Sequence, residues 1–463
     1  MNITPAFIDA IAPNASAIAN GKSLSKKFTV LHISPDKTLL FGECPGSGKN
    51  PYVCSMDFLD PAAPVPRCSC PSRQFPCKHV VGLLYAYADG RAFSAAEIPE
   101  TVAAKREGAT KHAEKKEKKA VDISAPPGKA KITAALKKIA MQLEGLDTAD
   151  KLLQSILRTG LSGLDARMRT TLAAQITQLG NYHIKGVQAS FNELLLYINE
   201  GKHFTRSTAQ LAFLHALLKR ARAHLLAKRD SDNPLTLDIA SEIEEQIGHI
   251  WKLEELHAYG CTLPGAELVQ LSFAIHDDAA KKEFVDEGLH ICVQNGAVYA
   301  TKNYRPYKSV KYINQDNTRF GTLTADIAVY PGGLNRRIRY DKFTLREEVD
   351  YAAIKAHAST DFAETAKLVK NQLKTPLADK NPAALLKIAR LFTSDAGQVL
   401  IEDAQGTRQI LQGNTVDLLT LIDASLLAGH ALLVRYDNDI DAGLLSAMPL
   451  SLITDDRIIR FQF

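Results

Sequence analysis

The chain has 463 residues, which exceeds what one compact core accommodates, so two to four domains are expected. Hydrophobic residues make up 46% and charged residues 23%, a balance that excludes a disordered or fibrous chain, and the absence of an eighteen-residue apolar run argues against a transmembrane helix. Residues 101–131 contain nine Lys or Arg and four Asp or Glu, a balance of +5 that equals the formal net charge of the whole chain. The rest of the chain is therefore close to neutral, which excludes a uniformly cationic surface.

The N-terminal segment is apolar but has no Lys or Arg before Lys22, whereas a secretory signal has positive charge ahead of its apolar stretch. We therefore expect a cytoplasmic protein. Seven cysteines are present, and a disulfide framework is typical of short secreted domains. Clustered thiols in this chain consequently indicate metal binding or catalysis.

Residues 24–60 contain three short segments, KFTVLHIS, TLLFGEC and PYVCSMDF, which are rich in Val, Leu, Phe and Tyr and are separated by turn-forming residues. They predict a three-stranded antiparallel meander. The later segment KHVVGLLYAYADG has apolar residues at helical spacing and ends at Gly90. Residues 1–98 are thus predicted to form a β-β-β-α module.

Between the predicted sheet and helix lies the segment RCSCPSRQFPCKH. Cys68 and Cys70 are two residues apart, so both side chains point the same way in an extended chain, and Cys77 and His79 repeat this spacing. Three thiolates and one imidazole suit a tetrahedral zinc ion. Four protein ligands leave no position for a reactive water, so the sequence predicts one structural zinc and no catalytic residues.

Three basic residues accompany the ligands. Arg67, Arg73 and Lys78 can offset the net negative charge of a zinc ion bound to three thiolates, and they are also the candidate contacts to nucleic acid. Two other interpretations of the cysteines were weighed. Unconnected buried thiols do not explain four ligand-type side chains in so short a segment, and a redox dithiol normally uses Cys-x-x-Cys, which is absent.

The spacing Cys68-x-Cys70-x6-Cys77-x-His79, with strands before it and a helix after it, resembles the SWIM zinc finger over roughly residues 24–90. The whole chain is similar in length to bacterial multidomain SWIM proteins. This resemblance implies zinc binding and a general role in contacts with DNA or protein. It also implies a partner of the kind encoded near such proteins, a MoxR-type AAA ATPase or a von Willebrand A-domain protein.

Composition and periodicity divide the rest of the chain into four segments. They are predicted to be a basic charged linker (99–130), a helical domain (131–260), a β-rich domain (261–349) and an α/β C-terminal region (350–463). The predicted fold class is therefore α+β with several domains: the zinc-stapled module, a central helical domain and a C-terminal region that is β-rich or mixed.

Local signals place several boundaries within these segments. Thr148 and Ser207 are predicted to lie at the caps of new helices. Asn295 and Gly296 predict a type I′ hairpin turn, since both residue types tolerate a positive φ. Residues 350–394 are predicted to return to helix, as the segments DYAAIKAHAS and NPAALLKIARLF, residues 381–392, indicate.

Other signals are weaker. The segment GECPGSGKN resembles a phosphate loop but departs from the motif at both ends, which argues against nucleotide binding. Glu245 and His249 are predicted to share a solvated helix face. Residues 302–312 and 336–342 interleave basic residues with tyrosines, which is typical either of nucleic-acid binding or of an exposed strand face; we favour the latter.

Two functions follow from these observations. The first is a non-enzymatic interaction or scaffold protein in which the zinc finger holds a surface for docking to another protein. The alternative is a DNA-binding protein whose zinc module and basic linker contact phosphates.

Overall fold

The computed structural model describes residues 3–13, 15–46, 50–59, 64–72, 76–103, 106, 128–201, 204–310, 313, 315–423 and 427–462. The chain divides into two compact units, Met1–Lys119 and Ala120–Phe463. The predicted α+β class is confirmed, because helices and several separate sheets are both present. The finer five-segment division stays a prediction, and most of the predicted linker lies outside the described residues.

The first unit contains a five-stranded sheet in the order β4-β3-β2-β1-β5. Its central strands pair antiparallel, as the predicted meander requires, whereas β5 pairs parallel to β1. The fourth and fifth strands and two N-terminal helices were not predicted. The elements are α1 Pro5–Ile11, α2 Ala15–Ser25, β1 Val30–Ile33, β2 Leu39–Cys44, β3 Tyr52–Asp57, β4 Val65–Cys68 and β5 Ser94–Ala95.

The predicted helix after the cysteine cluster is confirmed as α3, Lys78–Ala88, and Gly90 follows it at a φ of 74°. Its apolar side packs on one face of the sheet, where Leu83 and Leu84 are buried against Leu40 and Met56. Tight approach of α2 is possible because Gly82 of α3 leaves room that a β-carbon would fill against Leu24. The metal-ligand segment therefore joins a sheet to the helix that covers it.

The described residues cover the opposite face of this sheet only in part. Leu39 and Phe41 of β2 pack against Val102. Arg106 reaches the same face and binds the carboxylate of Asp57 at 2.7 Å. The covering thus lies over the β2 side of the sheet.

The second unit begins with helices that share one buried core. One 31-residue helix, α4, spans the position where Thr148 was predicted to cap a new helix, so that prediction is wrong; the Thr148 hydroxyl instead donates to Glu144 O. Ser207 lies inside its helix and does not begin it. The helices are α4 Lys129–Thr159, α5 Ala166–Leu179, α6 Lys185–Glu200, α7 Phe204–Arg229, α8 Ile243–Ile247 and α9 Leu253–Ala258.

The predicted solvated face carrying Glu245 and His249 is also wrong. The helix ends at Gly248, whose φ is 127°, so the two residues do not share a helix face. His249 contacts Glu255, and Glu245 forms an ion pair with Arg337.

The β-rich region forms a six-stranded sheet in which β10, β9, β6, β7 and β8 are consecutive and β11 also pairs with β9. The hairpin at Asn295 and Gly296 is present, but its turn is not type I′, because only Gly296 has a positive φ. The strands are β6 Thr262–Asp278, β7 Glu283–Cys292, β8 Val298–Pro306, β9 Thr322–Val329, β10 Ile338–Arg339 and β11 Thr344–Arg346.

Among its described residues, the C-terminal region combines three helices with a four-stranded and a three-stranded sheet. Residues 381–392 were predicted to be helical, and this prediction is wrong: they form β12 and part of β13, and β12 pairs antiparallel with β16. The remaining elements are α10 Tyr351–Ala356, α11 Phe362–Lys374, β12 Ala383–Lys387, β13 Arg390–Thr393, β14 Val399–Glu402, β15 Arg408–Ile410, α12 Val416–Thr420, β16 Ala431–Asp439, β17 Leu444–Ile453 and β18 Ile458–Arg460.

Candidate metal centre

The four predicted ligands come from two elements of the first unit. Cys68 is the last residue of β4 and Cys70 follows two residues later. Cys77 is the N-cap residue of α3, and His79 lies in the first turn of that helix. One ligand atom from each of the four lies within 4.8 Å of the others. Strand and helix therefore meet at a Cys3His cluster.

The spacing within the cluster fits a tetrahedral ion. His79 Nδ1 lies 3.9 Å from Cys68 Sγ and 3.8 Å from Cys77 Sγ. Zinc bonds of about 2.3 Å to sulfur and about 2.0–2.1 Å to nitrogen place such atoms roughly 3.6 Å apart in a tetrahedron. The donor set and its separations thus suit Zn²⁺, with a small contraction on binding.

Burial restricts the access of solvent to the site. Cys70, Cys77 and His79 are buried and Cys68 is partly exposed. The Tyr52 ring packs against the imidazole with 5.0 Å between the ring centroids. With four protein ligands and little solvent access, the ion at this centre is structural, and its binding free energy contributes to folding.

The ionisation of these ligands depends on the metal. Hydrogen bonding among neighbouring thiols and burial raise the pKa of Cys68 and of Cys77 above the usual thiol range, and burial raises the pKa of Cys70. Burial, followed by the charge of Lys78, lowers the pKa of His79, so its imidazole stays neutral and ready to bind. Zinc has to displace the thiol protons, and acid opposes its binding.

The three basic residues near the motif have different positions. Arg67 lies on the opposite face of β4 from Cys68 and donates to Asp57 at 2.9 Å. Lys78 is exposed at the start of α3, and Arg73 lies outside the described residues. Among the described residues of this group, therefore, Lys78 alone is an exposed cation beside the cluster.

A fifth thiol near the centre was not predicted. Cys54 on β3 is directly opposite Cys68 on β4, and its sulfur lies 3.8 Å from the carbonyl oxygen of His79. The sequence signal was present in PYVCSMDF. Cys54 is two residues from Met56, so both side chains lie on the face of the strand that packs against the helix. Finding the contact required the register of β3 against β4, which no local pattern states.

The basic and aromatic residues of the second unit form an internal contact. Arg337 lies over the Tyr330 ring, 3.8 Å from its centroid, and donates to Tyr304 while it pairs with Glu245. This guanidinium is already engaged by protein groups. Part of the other predicted basic segment, residues 311 and 312, lies outside the described residues, as do residues 47–49 of the segment resembling a phosphate loop.

The second unit also contains a cavity of about 540 Å³ between α7, α11 and the loop at Gly332. Arg220, His224 and Glu242 are among its lining residues. Burial raises the pKa of the Glu242 carboxyl, and neighbouring carboxylates add to the shift. These residues belong to no motif in the sequence.

Comparison with known proteins gives one family. Residues 60–88 match the family model described as the SWIM zinc finger. No curated protein and no solved structure matches the chain. Among the described residues, no helix combines the length and the apolar character that a bilayer-spanning segment requires. The match covers the segment that contains all four clustered ligands, so the first unit of this chain carries a SWIM zinc finger with one structural zinc.

Proposed function

We propose that this chain is a non-enzymatic interaction protein, in which the zinc finger holds one corner of its sheet as a docking surface for another protein. The observation that carries the proposal is an exposed apolar group on that sheet. Val53 on β3, Val65 on β4 and Leu59 after β3 are 50%, 45% and 58% exposed. We call these three residues the apolar corner. Val65 is opposite Asp57, four residues along β3 from Val53, so Arg67 lies between the two valines on this face.

The strand register explains why this corner is open. Side chains alternate between the two faces of a strand, so Val53 and Val65 point away from the face on which α3 and the metal ligands lie. Residues 96–106 cover the β2 side of that outer face. The β4 side has no such cover among the described residues, and apolar surface of this kind is typical of interaction sites.

The edge of β4 favours contacts through side chains. β4 pairs only with β3 among the described strands, so its outer edge is available. Pro66 lies on this strand and has no N–H, which makes the edge a poor template for adding another strand. A partner is therefore expected to pack on the apolar corner, beside Asp57 and the two arginines that pair with it, Arg67 and Arg106.

The zinc ion maintains this surface from the other side of the sheet. β4 has four residues and ends at a metal ligand, Cys68. Loss of the metal frees that end of the strand, and because β4 has only four residues we expect Val65, at its other end, to lose its fixed position as well. A Cys3His site whose thiols stay reduced is also consistent with action in the cytoplasm, and each of the seven cysteines is a free thiol in the structure.

Titration against purified candidates tests the proposal. The candidates are the MoxR-type AAA ATPase and the von Willebrand A-domain protein that the family resemblance implies, taken from the same genome. The double variant Val53→Asp with Val65→Asp should weaken binding at least tenfold in calorimetry, whereas Leu421→Asp, at an exposed leucine of the second unit, should not. Equal affinity for both variants would refute docking at the corner.

DNA binding is the second candidate, and the exposed side chain of Lys78 and the net charge of residues 101–131 favour it. Affinity that depends on phosphate contacts falls steeply as salt rises. Binding of a short duplex at low salt that weakens with salt and with Lys78→Glu would support this alternative. Absence of measurable binding at low salt would eliminate DNA binding. Arg67 is already paired with Asp57, so Lys78 is the described basic residue of this group that is expected to contact phosphate.

A further inference from the structure

We propose that Cys54 and Cys68 form an oxidative modification site: a hydroperoxide converts the pair to a disulfide, which removes one zinc ligand and opens the finger reversibly. Cys54 is not among the metal ligands, yet it is the residue directly opposite Cys68 in the β3–β4 ladder. The inference concerns the regulation of the metal centre and does not depend on which macromolecule the protein binds.

The strand register brings the two cysteines close enough for a disulfide. Ser69 N donates to Val53 O at 2.9 Å, which makes Cys54 and Cys68 a non-hydrogen-bonded pair of the antiparallel ladder. Opposite residues of this kind have Cα atoms about 4.5 Å apart, and their side chains lie on the same face. Disulfides occur at Cα separations of about 4.4–6.8 Å, so a bond can form without moving the strands.

The surroundings of the two sulfurs give them different roles. Cys68 is the partly exposed member of the ligand cluster, so it is the sulfur that a small oxidant reaches first. Cys54 is 1% exposed, and its thiol lies within hydrogen-bonding distance of Gly42 O, at 3.6 Å, and interacts with the Cys68 sulfur. A buried thiol held beside a more accessible one suits the resolving position.

The chemistry takes place in two balanced steps. The Cys68 thiolate attacks one oxygen of hydrogen peroxide, the O–O bond breaks, and Cys68 becomes a sulfenic acid with release of hydroxide, which is protonated to water. Cys54 then attacks the Cys68 sulfur, the S–O bond breaks, and the leaving hydroxide takes the Cys54 proton to form a second water. Two electrons pass from the thiols to the peroxide.

A disulfide between Cys68 and Cys70 competes less well. Cys68 and Cys70 are neighbours along the chain and would have to bend the segment between them, whereas β3 already fixes Cys54 against β4. Cys44, the other buried thiol under the sheet, is opposite Tyr52 and not opposite a ligand. It therefore offers a matched control: a second buried strand cysteine in the same core without a cross-strand thiol partner.

The test uses the full zinc-loaded chain treated with hydrogen peroxide. Zinc release is followed with a metallochromic indicator, and the disulfide is mapped by mass spectrometry of peptides under non-reducing conditions. We expect a Cys54–Cys68 cross-link that appears together with zinc release, and recovery of zinc binding after dithiothreitol and added zinc. In Cys54→Ser, zinc release should continue, but Cys68 should reach the sulfinic state and recovery should fall at least fivefold.

Cys44→Ser should behave like the unmodified protein in both measurements. The mapping is done on the unmodified protein, so it remains decisive if Cys54→Ser fails to fold. Cross-links confined to Cys68, Cys70 and Cys77, or oxidation of Cys68 without any cross-link to Cys54, would overturn the proposal. Equal recovery of zinc binding in a folded Cys54→Ser variant would overturn it as well.

Discussion

In the first unit, short strands and one helix meet at a metal centre, whereas in the second unit longer strands meet over large groups of buried Leu, Ile and Val. β4 has four residues and β5 has two, so these strands bury little surface by themselves. β6, with 17 residues, pairs along its length with two neighbours. A ligand set can thus supply the fixed geometry that short strands lack.

The two units also neutralise buried charge differently. In the second unit, Arg305 and Asp286 form a buried ion pair at 2.6 Å, and Asp286 also accepts from Asn303. In the first, the buried carboxylate of Asp57 likewise pairs with Arg67 and Arg106, but the negative charge of the ligand cluster is that of thiolates, which exist as such only with the metal. Both units thus carry counterions for their buried carboxylates, while the ligand cluster of the first depends on an ion from solution.

Removal of zinc is expected to give the largest effect. A chelator, or Cys77→Ser, should unfold the sheet and α3 of the first unit while the second unit stays folded, because structural zinc contributes on the order of 10 kcal/mol in isolated fingers. Hydrogen exchange should show lost protection confined to residues before 104. The control Cys261→Ser, at a partly buried thiol of the second unit, should keep the zinc and the protection. Unchanged hydrogen exchange in β3 and β4 after metal loss would show that the fold of the first unit does not depend on the ion.

Breaking the buried ion pair should destabilise the second unit strongly. Asp286→Asn leaves the Arg305 guanidinium buried without a counterion, which costs about 3–5 kcal/mol. The measurement is the free energy of unfolding in urea. Asp456→Asn, in an exposed ion pair, should give no measurable change. The double variant Asp286→Leu with Arg305→Met should recover part of this loss of stability. If the double variant is as destabilised as Asp286→Asn, the ion pair contributes more to stability than the neutralisation of its two charges.

The two units should also differ in how their stability responds to acid. Burial alone would raise the pKa of Glu244, but hydrogen bonds from His224 and Lys228 outweigh it and hold that pKa at about 2. A carboxyl with a depressed folded-state pKa stabilises above its unfolded pKa, so this contribution, at most about 3 kcal/mol, is lost as pH falls from about 4.5 to 2. Glu244→Gln should flatten that part of the pH profile of unfolding.

In the same titration, the first unit should lose zinc before the second unit weakens, since protons compete directly for its thiolates. An indicator dye reports the metal and tryptophan fluorescence reports the second unit, because Trp251 is the chain's single tryptophan. Glu402→Gln, at a carboxyl paired with two surface arginines, serves as the control with little effect. Simultaneous zinc loss and unfolding of the second unit would contradict this order.

A helix cap should give the smallest effect. Asp165 accepts a hydrogen bond from Met168 N at 2.7 Å at the start of α5. Asp165→Ala should lower the free energy of unfolding of the second unit by about 1 kcal/mol, the usual cost of losing such a cap, and leave zinc binding unchanged. Chemical denaturation measures it. A change above about 3 kcal/mol would mean that the cap also positions neighbouring helices.

The sequence predicted the metal centre well because its ligands are local. Cys68, Cys70, Cys77 and His79 lie within twelve positions, and alternation along a strand and the start of a helix are enough to direct them to one point. The meander was predictable for the same reason, since turn residues separate its strands. In the second unit, Thr148 and residues 381–392 misled the prediction, because helix caps and helix propensity are weak compared with tertiary contacts.

By itself, then, the sequence determined the zinc ligands and the α+β class, both of which depend on residues near one another in the chain. Only the tertiary structure decided that residues 383–387 form a strand, because β16 supplies its partner across more than forty residues. Only the tertiary structure placed Cys54 against Cys68 and left Val53 and Val65 uncovered. Pairing register and surface cover are relations between distant segments, and no local pattern of side chains encodes them.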